Sequence, residues 1–117
     1  MASHIDTGKI GEEMAVEWLQ QKGFEIIKRN WRSAKYEIDI IASMDDCIHF
    51  IEVKTRKTDS YGFPEEQVGK NKLRQFIDGG SEYMYQSGCW NRVRYDILAI
   101  NITEYGTEYL FIEDVYL

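Results

Sequence analysis

The stretches that decide the fold are YEIDIIA at residues 36–42 and FIEVKTR at residues 50–56. Both are rich in β-branched and aromatic residues, which favours β-strands, yet charged side chains interrupt them at alternate positions. Because side chains alternate between the two faces of a strand, Glu52 and Lys54 share one face of the second strand. In the first strand, Asp39 lies on the same face as Glu37. The interruptions are therefore grouped on defined faces and need a physical explanation.

The link between these strands sets their register. A two-residue loop at residues 45–46 makes the numbers of opposed residues sum to 91, which places Asp39 opposite Glu52 and Glu37 opposite Lys54. Opposed side chains have Cβ atoms about 4.5–5.5 Å apart, and like charges at that distance are destabilising. A cation held between Asp39 and Glu52 removes that repulsion. Asp-Asp is a poorer two-residue turn than Asn-Gly, so a longer loop is an alternative. A slip of the strand register by one residue would send the charged side chains of the two strands to opposite faces of the sheet.

A second interpretation makes the four charged residues a solvated sheet face on which Glu37 pairs with Lys54. The neighbouring residues argue against it, because they are apolar on both faces, as in a central strand covered on both sides. These neighbours are Ile38, Ile40, Ile41, Phe50, Ile51 and Val53. Charges in such strands are costly unless they are paired or bound to a metal. The hairpin therefore predicts a site for a divalent cation.

Length and composition indicate a single domain over residues 1–117, long enough to bury its own core. No apolar run approaches ~20 residues, so no membrane-spanning helix and no membrane partner are expected. The first residues also lack the pattern of a secretory signal. Cys47 and Cys89 are isolated in the sequence, which predicts neither a disulfide framework nor a zinc site. A reducing cytoplasm fits this composition best.

The formal net charge of −6 argues against binding to nucleic acid through bulk electrostatics. The charge is unevenly distributed, however, because residues 1–57 are almost neutral and the acidic excess lies in the remainder. Basic clusters at residues 28–35, 54–57 and 70–74 flank the acidic hairpin. Each alone is equally consistent with a solvated surface, but together they predict local contacts with a phosphate backbone.

Periodicity and breaker residues predict the order α-β-β-β-α-β-β, an α/β or α+β sandwich with a mixed central sheet flanked by helices. The first helix is predicted to start at a cap on Asp6 or Thr7 and to stop at residues 22–23. The second opens at residues 64–66. Within it, residues 79–80 (Gly-Gly) either kink the helix or allow a close backbone approach. The predicted strands are residues 24–31, 36–43, 47–56, 92–102 and 108–115.

Several short motifs occur in one order: Gly8-x-x-Gly11-Glu12, Asn30-Trp31-Arg32, residues 37–42 and 50–56, Gly62-x-Pro64-Glu65-Glu66, and Arg94-Tyr95-Asp96. This series resembles the YraN family of uncharacterised bacterial proteins over nearly the whole chain. That family looks like a minimal member of the restriction-endonuclease-like superfamily, close to archaeal Holliday-junction resolvases. Its nuclease motif corresponds here to Asp39…Glu52-Val53-Lys54. Tyr36 departs from the family, which usually has glycine at this position.

The resemblance implies a Mg²⁺- or Mn²⁺-dependent nuclease that cleaves phosphodiester bonds, with branched DNA as a candidate substrate. It favours DNA over RNA and implies a homodimer. The carboxylates of Asp39 and Glu52 and the backbone carbonyl of Val53 would hold the metal, which needs only one or two protein carboxylates. The metal would polarise the phosphate and activate a water. Lys54 would position that water or neutralise charge developing on the phosphate oxygens.

Further residues complete the predicted site. Helical periodicity places Glu12 and Glu17 about equally beside the apolar stripe, and the resemblance selects Glu12 as a fourth catalytic acid. Glu37 has two alternative roles, as a metal ligand or as a structural partner of Lys54. The candidate contacts to nucleic acid are Arg32, Arg56 and Lys72. The alternative function is a non-catalytic module that keeps the fold and binds nucleic acid or another protein, which the acidic charge balance favours.

Overall fold

The computed structural model describes residues 4–57, 70–89 and 91–115, which form two helices and five strands. Their bounds are α1 His4–Gln21, β1 Glu25–Ser33, β2 Tyr36–Met44, β3 Cys47–Lys57, α2 Lys70–Ser87, β4 Arg92–Thr103 and β5 Gly106–Ile112. The predicted element order and the mixed α+β class are confirmed. The predicted helix opening at residues 64–66 lies outside the described residues.

The strands form one mixed sheet in the order β1-β2-β3-β4-β5. Neighbouring strands are antiparallel except β3 and β4, which run parallel because the chain crosses back through α2 between them. The acidic hairpin of β2 and β3 therefore lies in the interior of the sheet, with β1 on one side and β4 on the other. Neither helix of the described part is long and apolar enough to cross a membrane.

The β2–β3 hairpin has the predicted two-residue turn. Asp45 and Asp46 have φ angles of 52° and 61°, the left-handed conformation that a type I′ turn requires at both central positions. Aspartate tolerates this conformation better than most residues. Pairing runs from Met44 opposite Cys47 back to Ile40 opposite Ile51, so the predicted register is confirmed over this part of the hairpin.

Each helix covers one face of the sheet. The α1 cluster of buried residues is Ala15, Val16, Leu19, Phe24, Ile40, Ala42, Ile51, Leu98 and Ile100. The α2 cluster is Ile38, Ile41, Ile48, Phe50, Phe76 and Met84. Because β2 and β3 contribute to both clusters, they are apolar on both faces, as the sequence predicted. Gly11 brings α1 into close contact with β3, since a Cβ at Gly11 would collide with the Thr55 side chain.

The helix α1 ends at its predicted stop. Gly23 has a φ of 102°, and the Phe24 N–H donates to the Leu19 carbonyl at 3.0 Å, the long bond of a Schellman motif. Its start differs from the prediction, because the helix begins at His4 rather than after a cap at residues 6–7. Capping residues are also tolerated inside a first turn, so periodicity establishes that a helix exists more firmly than where it begins.

A buried His–Asp pair joins β3 to β4. His49 Nδ1 lies 2.6 Å from Asp96 Oδ2, and both side chains are almost fully inaccessible to solvent. The other oxygen of Asp96 accepts a hydrogen bond from the backbone N–H of Asp114 at 2.9 Å. Asp114 has a φ of 58°, and β5 ends at Ile112 rather than at residue 115. Asp96 thus connects β3, β4 and the segment after β5.

Helix α2 continues without interruption through its two adjacent glycines, and the predicted close approach is present at Gly80. A Cβ at Gly80 would lie 2.5 Å from Tyr95 Cε1 and 2.9 Å from Phe50 Cδ2. The Tyr95 hydroxyl donates to the Ile77 carbonyl at 3.0 Å, which holds the ring in place. Glycine is therefore needed at this position because the sheet and the helix are in direct contact there.

We expect Gly80→Ala to destabilise the protein by about 1–3 kcal/mol, because the new methyl group overpacks the contact with Tyr95. The matched control is Gly8→Ala in α1, where a Cβ would meet nothing within 4 Å. That control gains helix propensity and should stabilise by about 0.5–1 kcal/mol. Urea denaturation measures both changes. Equal effects of the two substitutions would contradict the close approach at Gly80.

Candidate active site

A cleft of about 340 Å³ opens where the β2–β3 pairing stops. The last pair is Ile40 with Ile51, and the next residue of each strand, Asp39 and Glu52, lines the cleft. Asp39 Oδ2 accepts a hydrogen bond from the Val53 N–H at 2.8 Å. A side chain thus takes the place of a backbone partner, and the two acids face an opening rather than a continuous ladder.

The strands around Asp39 are irregular. Regular alternation would put Ile38 and Ile40 on one face, but Ile38 packs in the α2 cluster and Ile40 in the α1 cluster. In β1, the two residues paired with Ile38 and Ile40 flank Asn30, which has a φ of 53°. The regular backbone of both strands is therefore interrupted at the same level of the sheet. This level is the one at which Asp39 enters the cleft.

Burial raises the pKa of Asp39 from its ordinary value of 3.8 to about 6. The hydrogen bond from the Val53 N–H acts in the opposite direction, because it stabilises the carboxylate. The negative charges of Glu52, Glu37 and Glu12 add to the rise. A carboxylate that resists ionisation through burial and neighbouring acids is one that a divalent cation would stabilise strongly.

The donors at the cleft fit a hard cation. Asp39 and Glu52 line the cleft and carry carboxylate oxygens, and Val53 lies beside them in the lining. No group of three or more His, Cys, Asp or Glu side chains that could hold a metal occurs in the described part of the chain. Mg²⁺ and Mn²⁺ typically use only one or two protein carboxylates and retain several waters.

The cleft also has a cationic side. Lys35, from the turn between β1 and β2, and Lys72, from α2, line it together with Tyr36 and Gln75. The sequence predicted Lys72 as a contact to nucleic acid but did not single out the other three. Lys35 Nζ lies 5.6 Å from the centre of the Tyr36 ring. The only sequence signals for these residues were the basic cluster that contains Lys35 and the departure from the family at Tyr36.

The remaining predicted residues lie around the cleft. Glu37 lines it, but its carboxylate pairs with Arg32 at 3.0 Å, so the predicted opposition of Glu37 and Lys54 is wrong. The reason is that the ladder ends before it reaches this pair. Lys54 and Arg56 are half-buried in β3, and neither is among the residues that line the cleft. Lys54 follows Glu52 by two residues, which keeps it on the same face of the strand.

Glu12 lies outside the cleft lining and is held by β1. Its Oε1 accepts hydrogen bonds from Arg29 Nη2 at 3.0 Å and from Asn30 Nδ2 at 2.7 Å. Its charge also contributes to the raised pKa of Asp39. The pKa of the Tyr109 phenol is raised mainly by burial, and the negative charge of Glu17 adds to this rise. The charge of Glu17 therefore acts on Tyr109. The structure thus separates the two acids that helical periodicity left equivalent.

Comparison with known proteins finds one family. The pattern of the family described as "Uncharacterised protein family UPF0102" matches residues 11–100. The chain is 44% identical to a UPF0102 protein of Cytophaga hutchinsonii over 97 residues, which is 83% of this chain and 86% of that protein. It is 43% identical over 103 residues to a UPF0102 protein of Rhodococcus jostii, with 87% of each covered. A UPF0102 protein of Christiangramia forsetii is 38% identical over 116 residues, 99% of this chain and 98% of that relative.

Proposed function

Since this chain belongs to the uncharacterised family UPF0102, as its motifs predicted, we propose a function from its own cleft: a Mg²⁺- or Mn²⁺-dependent nuclease that cleaves phosphodiester bonds of DNA. The observation that carries the proposal is the cleft at the end of the β2–β3 ladder. It combines Asp39 and Glu52 with Lys35 and Lys72. Carboxylates for a cation beside amines for phosphates are what hydrolysis of a phosphodiester needs.

Three features support a restriction-endonuclease-like site, and the resemblance to resolvases suggests branched DNA as its substrate. A mixed five-stranded sheet is flanked by helices, and the acid pair lies on its interior hairpin where the strands separate. The spacing Glu52-Val53-Lys54 places an amine on the face of the second acid. The resemblance to resolvases extends the proposal to a homodimer. Cys47 and Cys89 are free thiols, which agrees with action in a reducing cytoplasm.

Each residue has a role in this mechanism. Asp39, Glu52 and the Val53 carbonyl would hold the cation, which when bound polarises the phosphate and lowers the pKa of a water. The Val53 N–H fixes the Asp39 carboxylate through its hydrogen bond to Oδ2. Lys54 stabilises negative charge that develops on the phosphate oxygens. Lys35 and Lys72 bind the phosphates on either side of the scissile phosphate. Arg32 and Arg56 contact further phosphates along the DNA strand.

The direct experiment incubates the purified protein with labelled branched, flapped and single-stranded DNA in Mg²⁺ or Mn²⁺. We expect metal-dependent cleavage, and we expect Glu52→Gln to reduce its rate by at least about 100-fold. Loss of an outer-shell partner of a metal already reduces activity by up to about 100-fold, and Glu52 is proposed as a direct ligand. Asp45→Asn is the matched control, because it neutralises an exposed acid of the same hairpin outside the cleft. Cleavage that survives in Glu52→Gln would come from a contaminant and would refute the proposal.

The alternative is a non-catalytic module that binds nucleic acid or protein. The net charge of −6 favours it, because it weakens the non-specific affinity for DNA on which a nuclease would draw. This function predicts binding without turnover, unchanged by chelation of metal and by Glu52→Gln. A gel-shift titration with and without EDTA separates the two functions.

A further inference from the structure

The hydrogen bonds on Glu12 are asymmetric. Three donors converge on Oε1: Arg29 Nε at 3.3 Å, Arg29 Nη2 at 3.0 Å and Asn30 Nδ2 at 2.7 Å. Within the residues that the structure describes, no donor reaches Oε2. Arg29 also binds Glu13 at 2.6 Å, so its guanidinium is anchored on two successive residues of α1. The Glu12 carboxylate is therefore fixed in orientation, with one oxygen satisfied and the other available.

Asn30 makes this arrangement from an unusual backbone position. Its φ of 53° lies in the left-handed region, inside a strand, where asparagine is one of the few side chains that is tolerated. The kink lies between the β1 partners of the two residues that flank Asp39. Asn30 thus connects the Glu12 carboxylate to the same level of the sheet at which Asp39 enters the cleft. A residue that served only the strand would not need both the kink and a donor aimed at an acid of another element.

We propose that Asn30, with Arg29, is a positioning residue that holds Glu12 Oε1 so that Oε2 accepts a hydrogen bond from the hydration shell of the cation bound by Asp39 and Glu52. This rests on the proposed function and assigns a role to residues outside the cleft lining. Mg²⁺ and Mn²⁺ sites of two carboxylates retain waters that need acceptors. Oriented carboxylates around a metal site provide them and strengthen binding.

The test measures Mn²⁺ affinity by calorimetry on the full chain, without DNA. Asn30→Gly keeps the left-handed backbone but removes the donor, and we expect it to weaken Mn²⁺ binding about 10-fold, the usual size of an outer-shell effect. Glu12→Gln should weaken binding by a similar factor. Glu17→Gln, the same charge change on the same helix, should leave the affinity within about twofold. Melting curves without metal verify that Asn30→Gly remains folded.

The double variant separates positioning from a general effect on the strand. If Asn30 acts through Glu12, Asn30→Gly combined with Glu12→Gln binds Mn²⁺ as Glu12→Gln alone does, because the two residues act as one unit. A further tenfold loss in the double variant, or wild-type affinity in Asn30→Gly, overturns the role of Asn30 and leaves the nuclease proposal standing. Tight, Asn30-dependent Mn²⁺ binding without cleavage of any DNA supports the role and overturns the nuclease. A wild-type protein that binds no Mn²⁺ overturns both.

Discussion

Asp39→Asn is expected to stop metal-dependent cleavage and, in the same protein, to raise the melting temperature in metal-free buffer at pH 8. The loss of cleavage follows from removal of a proposed ligand and should be at least about 100-fold. The gain in stability follows from the environment of Asp39, which burial and neighbouring acids make unfavourable for a negative charge. Asparagine is neutral and retains an oxygen that can accept the hydrogen bond from the Val53 N–H.

The sign of the pH dependence is fixed by the raised pKa. The folded protein binds the Asp39 proton with a pKa of about 6, against an ordinary value of 3.8, so it is favoured while this proton is bound. Wild-type stability is therefore lost relative to Asp39→Asn as the pH rises from about 4 through 6, and the difference is complete above pH 7. Two pKa units correspond to about 3 kcal/mol, which solvent in the open cleft reduces to about 1–2 kcal/mol. The difference disappears below pH 4, where both states carry the proton.

Added Mn²⁺ should reverse the order of the two proteins. A ligand that binds only the folded state stabilises it by about 2.7 kcal/mol at a hundredfold excess over its dissociation constant. Wild type should gain this stability, whereas Asp39→Asn should gain little. Thermal melts at pH 8 with EDTA and with Mn²⁺ measure both effects, with Asp45→Asn as control. Equal shifts in both proteins on adding Mn²⁺ would mean that Asp39 is not a ligand.

The second large effect is expected at the buried His–Asp pair. We expect Asp96→Ala to lower the free energy of unfolding by about 3–5 kcal/mol, because it leaves the buried His49 side chain without its partner. It also removes the acceptor of the Asp114 N–H, so the segment after β5 loses its attachment to the core. Equilibrium unfolding in urea, followed by tryptophan fluorescence, measures the change.

Two further variants test this explanation. Asp114→Asn should change stability by less than about 0.5 kcal/mol, because only its backbone N–H is used and asparagine tolerates its φ of 58°. His49→Leu combined with Asp96→Ala should lower the free energy of unfolding by less than the sum of the two single changes. The reason is that the double variant removes both side chains of the pair, so neither is left buried without its partner. Strict additivity would show that the two side chains are energetically independent.

The sequence was sufficient for the features that local chemistry controls. The order of helices and strands followed from periodicity, and the turn at residues 45–46 set the register as far as Ile40 opposite Ile51. Asp39 and Glu52 were predicted to be directly opposed, but the ladder ends one pair earlier and the alternation of β2 is broken at Asp39, so the two acids meet as lining residues of the cleft. The confirmed predictions required only interactions between residues that are close along the chain.

The features that were missed depend on contacts between distant segments. Pairing stops at Asp39 because its side chain binds the Val53 N–H, and no pattern in the sequence distinguishes this from a continuous ladder. The His49–Asp96 pair joins residues of two strands that become neighbours only after the crossover through α2. The partners of Glu12 include Asn30, whose left-handed backbone lies within β1 and whose side chain binds a residue of α1, 18 positions earlier in the chain.

The kink in β1 also affects how the protein can aggregate. An edge strand with free backbone groups is a template for pairing with another chain, and the usual protection is to interrupt its regularity. β1 is one edge of the described sheet, and it is interrupted twice, by the irregularity between Ile26 and Lys28 and by the left-handed Asn30. The other edge, β5, pairs with β4 without a register shift and carries Leu110 and Ile112, each 41% exposed. Sheet-edge association between copies is therefore disfavoured at β1, and β5 is the edge at which charged substitutions should improve solubility.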